Sequence, residues 1–211
     1  MRLRIDLKII AVLVIFLFTR QLQIYMIIMS FCFLHELGHI CAAKVLKMKL
    51  DKLEILPCGF SSSFYYKEVD IENMSQDKLR QGAEVIVEIA GPLTSLILAI
   101  AFQYMNVIKI SDILRQEIVY SNILILFFNL LPLYPLDGGR ILKNILNMKC
   151  GYEKSEKAIN KISYITIIIL TIISSIAVYY FKNIAIFLAC VFLWTIILGD
   201  KLKQNVKLNS I

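Results

Sequence analysis

Apolar residues in this chain come in long blocks rather than on one face of a periodic pattern. Ile, Leu, Val, Phe and Met fill six stretches separated by short charged segments: Lys8 to Thr19, Ile24 to Leu46, Glu84 to Val107, Ile118 to Leu136, Ile162 to Phe181 and Ile184 to Gly199. A helix needs roughly 20 mainly apolar residues to cross a bilayer. The pattern therefore predicts an all-α integral membrane protein with about six transmembrane helices. The fifth and sixth are joined tightly through Lys182 and Asn183. The first stretch is basic and then apolar, as a leader is, but it runs into Arg20-Gln21-Leu22-Gln23 with no small-x-small cleavage site. It is expected to be retained.

One polar stretch has a different rhythm. Leu53 to Tyr66 alternates, carries Pro57 and Gly59 as breakers, and ends in aromatics, which is the pattern of a hairpin. It reads either as a surface hairpin at headgroup level or as a short re-entrant loop whose exposed edge pairs with an unwound substrate. No linker, repeat or low-complexity tract divides the chain, and the polar stretch from Lys47 to Gln81 is short for an independent fold. Residues 1–211 are expected to form one membrane domain with no appended soluble module.

Composition agrees with the pattern: 58% of residues are hydrophobic, more than a soluble core of this size requires. The net charge of +7 does not point to nucleic acid, because no long basic run exists and Lys and Arg sit at the ends of apolar stretches. With six crossings and a cytoplasmic N-terminus, 19 of the 23 basic residues fall on the cytoplasmic side. Only Arg20, Lys109, Arg115 and Lys182 fall outside. The positive-inside rule then places both termini in the cytoplasm. It also brings the ends of the second and fourth stretches to the same side. The five cysteines have no paired spacing and read as small apolar helix residues or reduced thiols.

The chemistry is concentrated in His35-Glu36-Leu37-Gly38-His39, inside the second stretch. On a helix, positions i and i+4 share a face, so both imidazoles can reach one Zn²⁺. The Glu36 carboxylate is then placed to act as general base on a water at the metal. These are the chain's only two histidines. A carboxylate inside a spanning segment is costly and by default functional. A catalytic zinc needs a third protein ligand and an open position. Asp137 is the leading candidate, at the end of Asn129-Leu-Leu-Pro-Leu-Tyr-Pro-Leu-Asp-Gly-Gly139, where Pro132 and Pro135 break the helix. Glu84 and Glu88 compete for that role, although acids at a helix start are commonly structural.

These strings together resemble the site-2 family of intramembrane zinc metalloproteases. The resemblance rests on HELGH, on Ala90-Gly91-Pro92-Leu93 and on NLLPLYPLDGG, and extends from about Phe31 to Gly139 by motif. Its branch is similar to the stage IV sporulation protein FB type, without that branch's CBS domain and without a PDZ domain. The resemblance implies one zinc held by His35, His39 and Asp137, with Glu36 as base. It implies substrate contacts at Asn129 and Pro135, and at Cys58, Gly59 and Phe60 if the hairpin is the family's re-entrant loop. Many members carry Asn where this chain has Ser95.

The expected function is regulated intramembrane proteolysis near the cytoplasmic face of a bacterial cell membrane, with a sporulation sigma-factor precursor as the branch's substrate. Inhibitory membrane proteins are the partners the resemblance implies. Two other readings use the same residues. One is a metal or ion transporter with His35, Glu36, His39 and Asp137 as its transport site, for which no alternating repeat is visible. The other is a non-catalytic pseudoprotease, which an intact Glu36 argues against.

Overall fold

Local chemistry fixes where each element begins and ends. The computed structural model describes residues 2–18, 20–56, 59–66, 77–104, 110–181 and 194. The chain divides into two units, Met1–Leu130 and Leu131–Ile211.

The first unit opens with strand β1 (Arg2–Ile5) and helix α1 (Lys8–Phe18). Helix α1 closes with Gln21 N–H on the Phe16 carbonyl and Arg20 N–H on Leu17, with Arg20 at φ 57°. Helix α2 (Leu22–Val45) ends in the same way, with Met48 N–H on Ala43, Lys47 N–H on Lys44, and Lys47 at φ 59°. These paired bonds are Schellman closures, with a basic residue standing where Gly is usual. The second closure turns the chain into strand β2 (Lys49–Leu56), which is followed by β3 (Gly59–Tyr65).

The three strands form one sheet in the order β1-β2-β3. β1 runs parallel to β2, from Arg2 opposite Lys52 to Ile5 opposite Ile55. β3 is antiparallel to β2, from Lys49 opposite Tyr65 to Leu56 opposite Gly59. The hairpin expected from the sequence is thus present and begins earlier than Leu53. β1 was not expected.

Helices α3 (Asp77–Tyr104) and α4 (Asp112–Asn129) complete the unit. α4 starts six residues before its apolar stretch because Ser111 Oγ caps it, accepting from Leu114 N–H at 3.3 Å. Two cores tie the elements together. Phe31, Ile118 and Ile125, with Leu98 and Phe102, join α2, α3 and α4. Ala43, Met48, Tyr66, Ala83 and Val87 join the end of α2, the end of the hairpin and the start of α3.

The outside of α3 is apolar along Ile86, Ile89, Leu93, Ile97 and Ile100, all exposed, whereas Ser95 inside is fully buried. A water-soluble helix has the opposite arrangement. Facing lipid, tight packing of small residues replaces the hydrophobic drive for helix association.

In the second unit, a turn leads from Leu131 to helix α5 (Asp137–Cys150), which packs on helix α6 (Tyr152–Phe181). The Tyr134 N–H donates to Ser163 Oγ at 2.9 Å, Leu133 is fully buried, and the Tyr134-Pro135 bond is cis. A side chain at Gly139 would overlap the Leu133 and Tyr134 backbone, so this tight entry to α5 requires glycine.

The result is a mostly helical chain, with more strand than an all-α reading allows. Among the described residues, three helical segments are long and apolar enough to cross a membrane: Leu22–Val45, Leu79–Tyr104 and Tyr152–Ile176. The fourth apolar stretch stops at Asn129, and its prolines lie in the turn before α5. The sixth stretch lies outside the described residues except for Trp194, whose indole N–H donates to Thr171 Oγ1 at 3.0 Å.

Candidate metal centre

The site is built where α2 and α3 pass antiparallel at close range, and two glycines permit the approach. A Cβ at Gly38 would overlap Thr94 Oγ1 and come within 2.9 Å of the Ala90 carbonyl. A Cβ at Gly91 would lie on the His39 ring and within 2.7 Å of His35 Nε2. The backbone of Gly91 is therefore one wall of the site, and the histidines lie against it.

His35, Glu36 and His39 are 4%, 5% and 3% exposed, so all three are withdrawn from water. Each ring is held through Nδ1. That of His39 meets the Val87 carbonyl at 2.8 Å, and that of His35 meets Ser95 Oγ at 2.9 Å. A carbonyl only accepts, so the proton of His39 is on Nδ1 and the lone pair on Nε2. The two Nε2 atoms approach to 3.2 Å, with the rings edge-to-face at a centroid distance of 4.9 Å.

Zinc fits this donor set. Two nitrogens at Zn–N distances of about 2.0–2.1 Å around a tetrahedral ion lie about 3.3 Å apart. With the His35 proton also on Nδ1, donated to Ser95 Oγ, two lone pairs would face each other at the observed distance, an arrangement that a cation between them stabilises. Histidine ligands also characteristically donate their other ring N–H to a protein acceptor. The Glu36 carboxylate is buried on the same helix and, among the described residues, has no hydrogen-bond or ion-pair partner in the protein.

Among the described residues of this unit, no third side chain joins the two histidines in a metal-ligand group. Glu84 is engaged by Arg80, with Nε to Oε1 at 3.3 Å, and neither it nor Glu88 joins the histidines in a metal-ligand group among the described residues. Asp137 lies in the second unit, as the first residue of α5, and is 7% exposed.

The expected substrate contacts are distributed as follows. Asn129 ends α4, half-buried, its Nδ2 donating to the Ile125 carbonyl at 3.0 Å. Pro135 is in the turn of the second unit. Gly59 is buried at φ 144°, a conformation that favours glycine, and a Cβ there would sit 3.5 Å from Cys32 Sγ. Phe60 packs edge-on against Phe33 at 5.4 Å. The end of the hairpin therefore lies against α2 one turn before Glu36. Cys58 lies outside the described residues.

Ser95 and the Val87 carbonyl are the groups holding the two rings that the sequence did not reveal. Ser95 stood out only as a departure from a motif, and a backbone carbonyl leaves no mark on a sequence.

Residues 23–120 and 108–173 match the family model for Peptidase family M50. A zinc metalloprotease of Methanocaldococcus jannaschii is 36% identical over 128 residues, which is 59% of this chain and 34% of that protein. The stage IV sporulation protein FB of Bacillus subtilis is 28% identical over 142 residues, 67% of this chain and 46% of that protein. The matched segments thus span about a third and about a half of these curated relatives. Among solved structures, a site-2 protease from Methanocaldococcus jannaschii has a TM-score of 0.69 at 26% identity, covering 92% of this chain and 87% of that one.

Proposed function

Because the chain belongs to peptidase family M50, we propose that it is an intramembrane zinc metalloprotease that hydrolyses a peptide bond in a membrane-associated protein. The observation that carries this is the approach of His35 Nε2 and His39 Nε2 to 3.2 Å, with both Nδ1 atoms held by protein. Asp137 is the proposed third ligand. It is a buried acid at a helix start, the sequence has no third histidine, and Glu84 and Glu88 do not join the pair.

A zinc ion held there would polarise the scissile carbonyl and make the attacking water more acidic. The chain's own work is then done at Glu36. Its carboxylate takes a proton from the water and delivers it to the leaving nitrogen. Burial of Glu36 keeps bulk water from competing for that proton. The outer edge of β3, the last strand of the sheet among the described residues, is proposed to hold substrate in extended form, with Gly59, Phe60 and Cys58 at the hairpin end, and Asn129 and Pro135 as further contacts. A substrate leaving its helix in lipid loses its own backbone hydrogen bonds, and strand addition replaces them.

This reading treats residues 1–211 as one membrane domain with six crossings, the hairpin re-entrant and both termini cytoplasmic, in a bacterial cell membrane. The charge distribution supports that orientation. A finer reading makes the substrate a sigma-factor precursor with a membrane-inserted pro-sequence, held in check by inhibitory membrane proteins. It rests on similarity to the sporulation relative, and the archaeal relative shares only the peptidase character. Ion transport is not favoured for a member of a peptidase family.

The test is co-expression of the full chain with a candidate membrane substrate. Glu36→Gln is expected to keep its zinc and to lose cleavage by at least about a hundredfold. Cleavage that persists would remove Glu36 as the base. Asp137→Asn is expected to lower zinc occupancy, and unchanged occupancy would return the third ligand to Glu84 or Glu88.

A further inference from the structure

Two buried polar groups in the first unit are each half satisfied. Ser95 is fully buried, and its Oγ meets His35 Nδ1 at 2.9 Å. For His35 Nε2 to face a metal, Nδ1 must carry the ring proton and donate it. The Ser95 hydroxyl is then the acceptor, and its own proton meets no acceptor among the described residues. Asn122 is also fully buried. Its Nδ2 donates to the Ile118 carbonyl at 2.9 Å, while its Oδ1 has no donor. One group has a proton to give, and the other has an oxygen to receive it. Buried polar atoms are rarely left in that condition.

Helix geometry brings the two toward each other. Asn122 is one turn from both Ile118 and Ile125, so the three share a face of α4. Ile118 and Ile125 pack with Phe31 of α2 and Leu98 of α3. Phe31 is one turn before His35, and Leu98 is about one turn after Ser95. Asn122 therefore faces the seam between α2 and α3 at the level of Phe31 and Leu98, about one helical turn from the His35–Ser95 pair.

We propose that Asn122 is a positioning residue for the metal centre. Its Oδ1 receives the Ser95 hydroxyl proton's hydrogen bond across one buried water, and this fixes the tautomer and ring plane of His35. The chain of bonds runs from His35 Nδ1–H to Ser95 Oγ, from Ser95 Oγ–H to the water, and from the water to Asn122 Oδ1. It rests on the reading of His35 as a metal ligand. It also explains how a serine serves here: a hydroxyl that accepts from the imidazole needs somewhere to send its own proton.

The full chain, loaded with zinc, tests this by metal retention against graded chelator, with thermal unfolding measured in parallel. Ser95→Ala and Asn122→Leu are each expected to weaken zinc retention about tenfold. The double variant is expected to be no worse than the weaker single one, because both cut the same chain of bonds. Asn122→Asp keeps an acceptor oxygen and is expected to restore most of the retention. Wild-type retention in Asn122→Leu, or losses that multiply in the double variant, would overturn the proposal. If Asn122→Leu does not fold, Asn122→Ala is judged by the same criteria. A wild-type chain that never holds zinc is a different result, and it overturns the metal-centre reading on which the proposal stands.

Discussion

At the residue scale, the HELGH string does two jobs at once. His35, Glu36 and His39 carry the proposed chemistry, while Gly38 between them lets α3 come close enough to supply Val87, Ser95 and Gly91. This yields a prediction at Gly91. Alanine is the better helix former by up to about 1 kcal/mol, so Gly91→Ala need not lower overall stability. Its Cβ nevertheless collides with both imidazoles. The expected variant unfolds at a temperature near that of the wild type, yet holds zinc at least about tenfold less tightly in a chelator titration. Full zinc retention would show that the rings can step aside. The meeting of His35 and His39 was legible in the sequence because their spacing is local to one helix. The parts played by Ser95 and Gly91 were not, because they depend on how near two helices pass.

At the element scale, the reading succeeded where apolar length decides and fell short where distant pairing or a cap decides. Helix α2 follows its hydropathy, whereas α3 begins seven residues before its apolar stretch, in a polar first part. α4 begins earlier than hydropathy shows, because the Ser111 cap and the Asp112 first turn are polar. β1 is four residues long, and its partners Lys52–Ile55 come some fifty residues later, so nothing near Arg2 announces a strand. The hairpin ends at Tyr66, buried under the start of α3. Burial, reinforced by the Glu84 carboxylate and opposed by Arg80, pushes its phenol above the ordinary 10.0. The folded state therefore holds this proton longer than the unfolded state does. The associated stability is whole below pH 10.0 and is lost as pH rises through the folded value. Tyr66→Phe is expected to flatten the alkaline decline in a chemical unfolding series. An unchanged slope above pH 10.0 would assign the decline to other groups.

At the scale of the whole molecule, what matters is which side of the bilayer each segment reaches. The proposed orientation puts the start of α4 outside. Asp112 there is highly exposed, its side chain at 90%, so a cysteine at that position can be labelled without disturbing the core. In intact cells, Asp112→Cys is expected to react with a membrane-impermeant thiol reagent. Protection until the cells are opened would overturn the six-crossing arrangement. The sheet adds a condition that owes nothing to charge. β1 and β2 lie side by side and parallel, with only α1 and α2 between them. The chain must therefore come back to the face it left, which is a parity rule: the crossings between Ile5 and Lys49 are even in number. If α2 crosses once, α1 must also cross, yet its 11 residues rise only about 16 Å against a hydrocarbon core of about 30 Å. Such a mismatch is met by thinning the lipid around the short helix. Water and headgroups would then dip toward the protein at the flank of the helix that carries His35 and His39, shortening the path by which a hydrolytic water enters an apolar layer.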